Sequence, residues 1–233
     1  MPFSSTKPTN KPSDGIGPAD PVGSTVTPCA ESPVGKVNHT SPEKADELIR
    51  KHLAGEAKKG IEADKKIAGK AKVVGEPEWS QAGIAHYGEE KWKAEKVDSL
   101  NGFVDKDGNV WVHKDRGNQA TMIHEGIHKY SDSKMKTTSQ PLNEGMTEYY
   151  TRKIAKEEDI AKARANYNGN YKSTKALADL VGEDKISKAY FEGDVEQLKD
   201  AVDAKKGEGT WDKYVELTKQ KKWTESKDLL AQE

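Results

Sequence analysis

The sequence has little cysteine, almost no net charge and no long hydrophobic run, and each of these absences excludes a class of function. Its 233 residues include a single cysteine, Cys29, which excludes an internal disulfide and a metal site built from several thiolates. Lysine plus arginine number 38 against 39 aspartate plus glutamate, so no bulk positive charge attracts nucleic acid. A metal site in this chain must therefore use histidine, aspartate or glutamate.

Two further absences concern membranes and export. No stretch approaches the roughly 18 consecutive apolar residues that a membrane span needs, and the N-terminus lacks the apolar run of a secretory signal. We therefore expect a soluble protein without a membrane span. It is expected to be cytoplasmic, or exported by a route that uses no recognisable signal peptide.

Proline is concentrated at one end of the chain. Eight of the ten prolines precede residue 43, among serine, threonine and glycine and with few periodic apolar residues. Such a segment cannot bury enough surface to fold alone, so residues 1–40 are predicted to be a disordered, proline-rich leader. It is either a flexible terminus or a segment that docks the chain on delivery machinery.

The remaining residues, 41–233, combine helical patterns with one hairpin signal. Gly102–Val104 and Asn109–His113 flank turn residues typical of a β-hairpin, and amphipathic segments separated by glycines follow toward the C-terminus. The predicted fold class is α+β: a small β-hairpin or three-stranded sheet beside a metal-binding helix, with a mostly helical C-terminal part. The predicted parts are an N-terminal helical part (41–100), a metal-site core (101–157) and a helical C-terminal part (158–233).

The clearest chemical signal is a pair of histidines four residues apart. Residues 122–130 read MIHEGIHKY within a segment of helical periodicity. Four residues advance about 400° and rise about 6 Å, so His124 and His128 stand one above the other and can reach one ion. Glu125 lies about 60° from His128 around the helix axis, where its carboxylate is poorly placed as a ligand but can accept a proton from water. Gly126 indicates close approach of a neighbouring helix or of substrate.

A catalytic zinc site needs a third protein ligand and one position left for water. The segment LNEGMTEYY follows Pro141, and Asn143 is predicted to cap a new helix there. That helix presents Glu144 and Glu148 one turn apart on one face. Either glutamate could reach the ion by spacing alone.

The two segments together resemble a known family. The His-Glu-x-x-His of residues 124–128, followed by the Asn-Glu-x-x-Thr-Glu of 143–148, is similar to the gluzincin class of zinc metallopeptidases. The resemblance covers roughly residues 100–152, and the short gap between the motifs is typical of minimal or bacterial effector-type members. In this class an edge strand usually lies over the cleft and binds substrate main chain, which suits the preceding hairpin.

The resemblance implies a ligand set and roles for its neighbours. The implied ligands of one Zn²⁺ per chain are His124, His128 and Glu144, with Glu125 as the general base. Glu148 is implied to orient His124 from outside the ligand set, with Asn143 beside it. The class also uses a tyrosine or histidine to stabilise the transition state, for which the candidates are His113, Tyr167 and Tyr171.

The predicted function is zinc-dependent hydrolysis of a peptide or related amide bond in a peptide or protein substrate. A second hypothesis places the same chemistry in a secreted or injected bacterial effector or toxin that cuts a target protein or peptidoglycan peptide; the leader and the small size favour it. The non-enzyme alternative is an inactive metallopeptidase-like binding module, against which the intact Glu125 argues. Delivery machinery or an inhibitor protein are the partners that these hypotheses imply, and nucleic acid is not among them.

Overall fold

The computed structural model describes residues 40–94, 100–161 and 167–231. Apart from Thr40, the predicted leader lies outside the described residues. The helices are α1 (Pro42–Leu53), α2 (Lys58–Glu62), α3 (Glu78–Tyr87), α4 (Glu89–Ala94), α5 (Gln119–Tyr130), α6 (Ser133–Thr138), α7 (Gln140–Glu157), α8 (Asn168–Val181), α9 (Glu183–Ser187), α10 (Val195–Lys206), α11 (Thr210–Lys219) and α12 (Trp223–Ala231). A π-helical turn, Lys188–Glu192, follows α9, and the strands are β1 (Ala71–Val74), β2 (Gly102–Val104) and β3 (Val110–His113). The predicted α+β class is confirmed.

The three strands form one small mixed sheet in the order β1-β3-β2. The predicted hairpin is the antiparallel pair of β2 and β3, and β1 joins β3 in parallel. The hairpin turn is closed by Asp105, whose carboxylate accepts hydrogen bonds from the backbone N–H of Asp107 and Asn109 and from the Trp111 indole, at 2.8–2.9 Å. In the described ranges, β2 is an edge strand and no further strand pairs with its outer side.

Helix α5 lies between the sheet and the other helices, and it is buried along most of its length. A capping box fixes its start, because Asn118 and Thr121 exchange hydrogen bonds between side chain and backbone. At Gly126 a Cβ would lie 2.7 Å from Ile49 Cδ1 and 3.0 Å from Ile67 Cδ1. The close neighbours of this glycine are therefore α1 and the segment that follows α2, and not the cleft.

The two faces of the sheet pack against different cores. On β3, Val110 and Val112 join the main core with α1, α5 and α7, while Trp111 belongs to a smaller aromatic cluster on the other face. Alternation along a strand produces this division. The smaller cluster centres on Trp79 and Trp92, which bring α3 and α4 against Phe103 of the edge strand. None of the described helices is long and apolar enough to cross a membrane.

Candidate metal centre

Two histidines of α5 meet a glutamate of α7 at one point. His124 Nε2 lies 3.3 Å from Glu144 Oε2, and His128 Nε2 lies 3.2 Å from the same oxygen. Within the described ranges, this is the group of histidine, cysteine and acidic side chains that could hold a metal ion. Two atoms bound at about 2.0–2.1 Å to a tetrahedral zinc ion lie roughly 3.3–3.4 Å apart. The observed spacing therefore suits a single ion shared by all three residues.

Glu144 reaches the histidines from the second turn of α7, because the helix begins earlier than the sequence indicates. Its N-cap is Ser139, whose hydroxyl accepts a hydrogen bond from the Leu142 N–H at 3.3 Å. The prediction that Asn143 caps this helix is wrong. Pro141 lies in the first turn, where its missing N–H costs nothing, so the proline does not delay the start of the helix.

The charges of the ligand group are strongly coupled. Burial by itself lowers the pKa of His124, but hydrogen bonds to Glu144 and Glu148 outweigh it and raise the value to about 10. Burial would likewise raise the pKa of Glu144, yet His128 and His124 hold it well below the usual range. The negative charge of Glu144 and Glu148 stabilises a proton on His124. The same negative charge would stabilise a metal cation bound between these groups.

Thr147 lies beside the nitrogen of His128 that faces away from the candidate ligand position. The Thr147 hydroxyl donates its proton to the Asn143 carbonyl oxygen at 2.8 Å. It can therefore only accept from its other two neighbours, the Tyr190 hydroxyl at 2.6 Å and His128 Nδ1 at 3.1 Å. A proton on His128 Nδ1 suits this acceptor and would leave the Nε2 lone pair facing the candidate ligand position. Asn143 Nδ2 lies 3.3 Å from the same Nδ1, so the Asn143 side chain faces the site although it caps no helix. Because an amide NH2 group only donates, Asn143 pairs with a protonated Nδ1 only when its amide is turned to present the oxygen.

His124 is oriented by a chain of charged groups on α7. Glu148 Oε2 lies 3.3 Å from His124 Nδ1, and Arg152 Nε donates to Glu148 Oε1 at 2.6 Å. Burial tends to raise the pKa of Glu148, but His124 and Arg152 lower it, so the carboxylate is ionised and accepts the Nδ1 proton. The opposite face of the His124 ring is covered by Tyr167, with ring centroids 5.2 Å apart and planes only 11° from parallel.

Glu125 stands beside the ligands with its carboxylate unused. It accepts no hydrogen bond from the described residues, although only 8% of its surface is exposed. Burial raises its pKa, as does the charge of Glu144, while His124 and His128 act in the opposite direction. A Cβ on Gly102 would lie 2.8 Å from Glu125 Cγ, so glycine is the residue that lets β2 pass this close to the carboxylate.

A cleft of about 940 Å³ opens over the ligands, a volume typical of sites for small molecules and peptide segments. One side is formed by α5 and α7 with Glu125, His128 and Glu144, together with Tyr167. The other side is β2, whose outer edge carries no further strand in the described part of the chain. The cleft therefore connects the candidate metal ligands with a strand edge that is unpaired among the described residues.

The three candidates for stabilising a transition state lie in different places. Tyr167 lines the cleft, where Glu144 is among the groups that raise the pKa of its phenol. His113 lies on the aromatic side of the sheet, its ring 5.3 Å from Trp79, because it occupies the same face of β3 as Trp111. Tyr171 lies under the Arg152 guanidinium, 4.1 Å from ring centroid to carbon. The structure thus brings only Tyr167 into the cleft.

Several residues that contact the site lie outside the two sequence motifs. Gln140 donates to Glu144 Oε1 at 2.7 Å and leaves Oε2 facing the histidines. Both Gln140 and Arg152 lie four residues from the glutamate they hold, a spacing that a helix makes predictable. Tyr190 belongs to the distant π-helical turn and gives no such signal. Comparison with models of protein families, with curated protein sequences and with solved structures gave no match to this chain.

Proposed function

We propose that this protein is a zinc-dependent peptidase of the gluzincin type. The observation that carries the proposal is the meeting, at a cleft, of three potential ligand atoms within 4.8 Å of one another and a buried carboxylate that accepts no hydrogen bond from the described residues. Two imidazoles and one carboxylate form a donor set that zinc uses in catalytic sites, because three protein ligands leave a position for water. When bound, zinc polarises a carbonyl group and makes water more acidic.

The general base in this proposal is Glu125. Burial raises its pKa above the usual value for a carboxylic acid, a shift in the direction that suits a general base. It takes the proton from the attacking water and later delivers it to the leaving amine. The ring nitrogens of His124 and His128 remain in place during this exchange, since Glu148 and Thr147 hold the nitrogens that face away from the ligand position.

Tyr167 is the proposed donor to the oxygen on which negative charge develops. Burial, together with the charges of Glu144 and Glu125, raises the pKa of its phenol above the usual value. The hydroxyl therefore stays protonated and can donate a hydrogen bond. The ring of Tyr167 stacks on His124, with centroids 5.2 Å apart, and this contact beside a proposed ligand supports the role.

The substrate is proposed to bind as an added strand on β2. The free edge of Gly102–Val104 offers main-chain N–H and C=O groups along the cleft, and an extended peptide satisfies them by strand addition. Gly102 contacts Glu125, so a peptide on this edge passes directly over the proposed base. This geometry supports a peptide in preference to a compact small molecule.

The test combines metal analysis with digestion of a mixed peptide library. The purified chain is expected to contain about one zinc ion per molecule, to cut library peptides, and to lose activity with a chelator and regain it with zinc. His128→Ala should lose both metal and activity. The control His52→Gln changes a histidine paired with Glu157 and Glu158, remote from the ligands, and should keep both. A zinc-loaded chain that leaves every peptide intact would overturn the peptidase and favour a binding module.

A further inference from the structure

Along β2 the cleft extends from Gly102, beside Glu125, to Lys106 in the hairpin turn, and its lining includes three exposed lysines from three separate elements. Lys91 comes from α4, Lys106 from the turn between β2 and β3, and Lys136 from α6. We call these three residues the lysine arm. Like charges on separate elements repel one another, and their convergence in a cleft raises the local concentration of anions.

The acidic groups at this end already have partners. Asp105 is occupied by the hydrogen bonds that close the hairpin turn. Asp132 caps α6 through the Lys134 N–H at 2.9 Å and lies 3.7 Å from the Lys59 ammonium. By contrast, Lys106 and Lys136 have no hydrogen bond or ion pair in the described part of the chain. Their charge is therefore available to a ligand.

Aromatic side chains line the same cleft: His86, Tyr87 and Phe103. Lys91 lies over the ring of Tyr87, with 5.7 Å from ammonium to centroid, and His86 stacks on Phe103 at 5.5 Å. Burial is the main reason that the pKa of His86 is lowered; Asp105 raises it, and the charges of Lys136, Lys106 and Lys91 lower it further. The charges of all three lysines therefore act on His86, whose imidazole is neutral.

We propose that the lysine arm binds a carboxylate of the peptide substrate and makes the protein selective for acidic peptides, an inference that rests on the proposed peptidase function. The distance between the bound carboxylate and the scissile bond follows from the geometry of β2, in which each residue rises about 3.3 Å. Gly102 touches Glu125, so Lys106 lies on the order of 10 Å further along the cleft. The carboxylate is therefore two to four residues from the scissile bond, and it belongs to an acidic side chain or to a free C-terminus.

The experiment uses the zinc-loaded full chain and fluorogenic peptides that carry Glu or Gln at each of the four positions on either side of the scissile bond. Each exposed charge pair is worth about 1.5- to 5-fold, so we expect kcat/KM to favour one Glu position by roughly tenfold. The preference should fade at about 0.5 M salt, where screening acts within a few ångströms. Peptides with a C-terminal acid or amide separate the two sources of the carboxylate.

Matched variants assign any preference to the lysine arm. The triple change Lys91→Gln, Lys106→Gln and Lys136→Gln should bring the Glu-to-Gln ratio close to one, while the same three positions changed to Arg should retain it. The control pair Lys93→Gln and Lys134→Gln lies on the same two helices, but neither residue lines the cleft, and it should keep the wild-type ratio.

Binding of the same labelled peptides to the Glu125→Gln variant, measured by fluorescence anisotropy, gives a readout that does not depend on turnover. Cleavage of Glu and Gln peptides at equal rates would overturn the lysine arm and leave the peptidase intact. Tighter binding of Glu peptides without cleavage by the wild type would support the arm and overturn the peptidase. Equal binding without cleavage would overturn both.

Discussion

The two ends of the cleft are built in opposite ways. At the ligand end, His124, His128 and Glu144 come from long buried helices, and each is held by further side chains at 2.7–3.3 Å. At the other end, the lysine arm consists of long exposed side chains on short elements. Metal chemistry requires atoms placed within about half an ångström, whereas charge selection requires only a field. Under the proposed function, one end would determine the reaction and the other would determine the substrate.

The largest expected effect comes from changing the proposed base at the ligand end. Glu125→Gln should lower kcat/KM by about 10²- to 10⁴-fold, because the amide keeps the shape of the side chain but cannot take a proton. Its zinc content, measured by elemental analysis, should match that of the wild type, since Glu125 is outside the ligand group. Glu216→Gln, at an exposed position of α11, is the control. An active Glu125→Gln protein would contradict the mechanism.

The next largest effect separates the two glutamates of α7. Glu144→Ala removes an oxygen that faces both histidines and should weaken zinc binding by more than about 100-fold. Glu148→Ala removes the partner of His124 Nδ1 and of Arg152 Nε but no proposed ligand, and it should cost about 10- to 100-fold. Zinc titration of both variants at one pH measures the difference. If Glu148→Ala empties the site and Glu144→Ala binds zinc normally, the two roles are reversed.

A smaller effect is expected at Thr147, which contacts the site only through His128. Thr147→Val keeps the shape but removes the acceptor of the Nδ1 proton, and it should weaken zinc binding by up to about 10- to 100-fold. Thr147→Ser restores the hydroxyl and should recover most of the affinity in the same titration. Normal zinc binding by Thr147→Val together with a loss in Thr147→Ser would show that packing of the methyl group, and not the hydrogen bond, is what matters.

The smallest effect on zinc affinity is expected from a substitution at the opposite end of the cleft, in α3. In α3 a Cβ on Gly83 would lie 2.0 Å from the Trp92 ring, so Gly83→Ala should push α3 and α4 apart. Overpacking of this kind costs about 1–3 kcal/mol, measurable as a lower free energy of unfolding in urea. Zinc affinity should stay within about twofold of the wild-type value, because α3 supplies no ligand.

The control for this change is Gly55→Ala, where nothing lies within 4 Å of the added carbon and no packing loss is expected. If Gly83→Ala also releases zinc, the two ends of the cleft are coupled and not independent. If Gly83→Ala changes the ratio of kcat/KM for Glu and Gln peptides but leaves zinc affinity unchanged, the two ends of the cleft act independently.

The sequence by itself determined the parts of this protein that depend on a fixed local geometry. Residues four apart on a helix share a face whatever surrounds them, so the pairing of His124 with His128 and the hairpin at 102–113 could be predicted. The start of α7 could not, because Ser139 and Asn143 are both good caps and the choice between them depends on where the whole helix packs.

Only the tertiary structure decided which distant residues meet. Lys91 and Lys136 are 45 positions apart in the chain, yet they line one cleft, and Tyr190 reaches Thr147 across 43 positions. The same packing placed Tyr167 against His124 and turned His113 toward Trp79. Contacts of this kind depend on the angles at which helices and sheet pack. Those angles depend on the packing of the whole buried core, and they cannot be predicted from a short sequence motif.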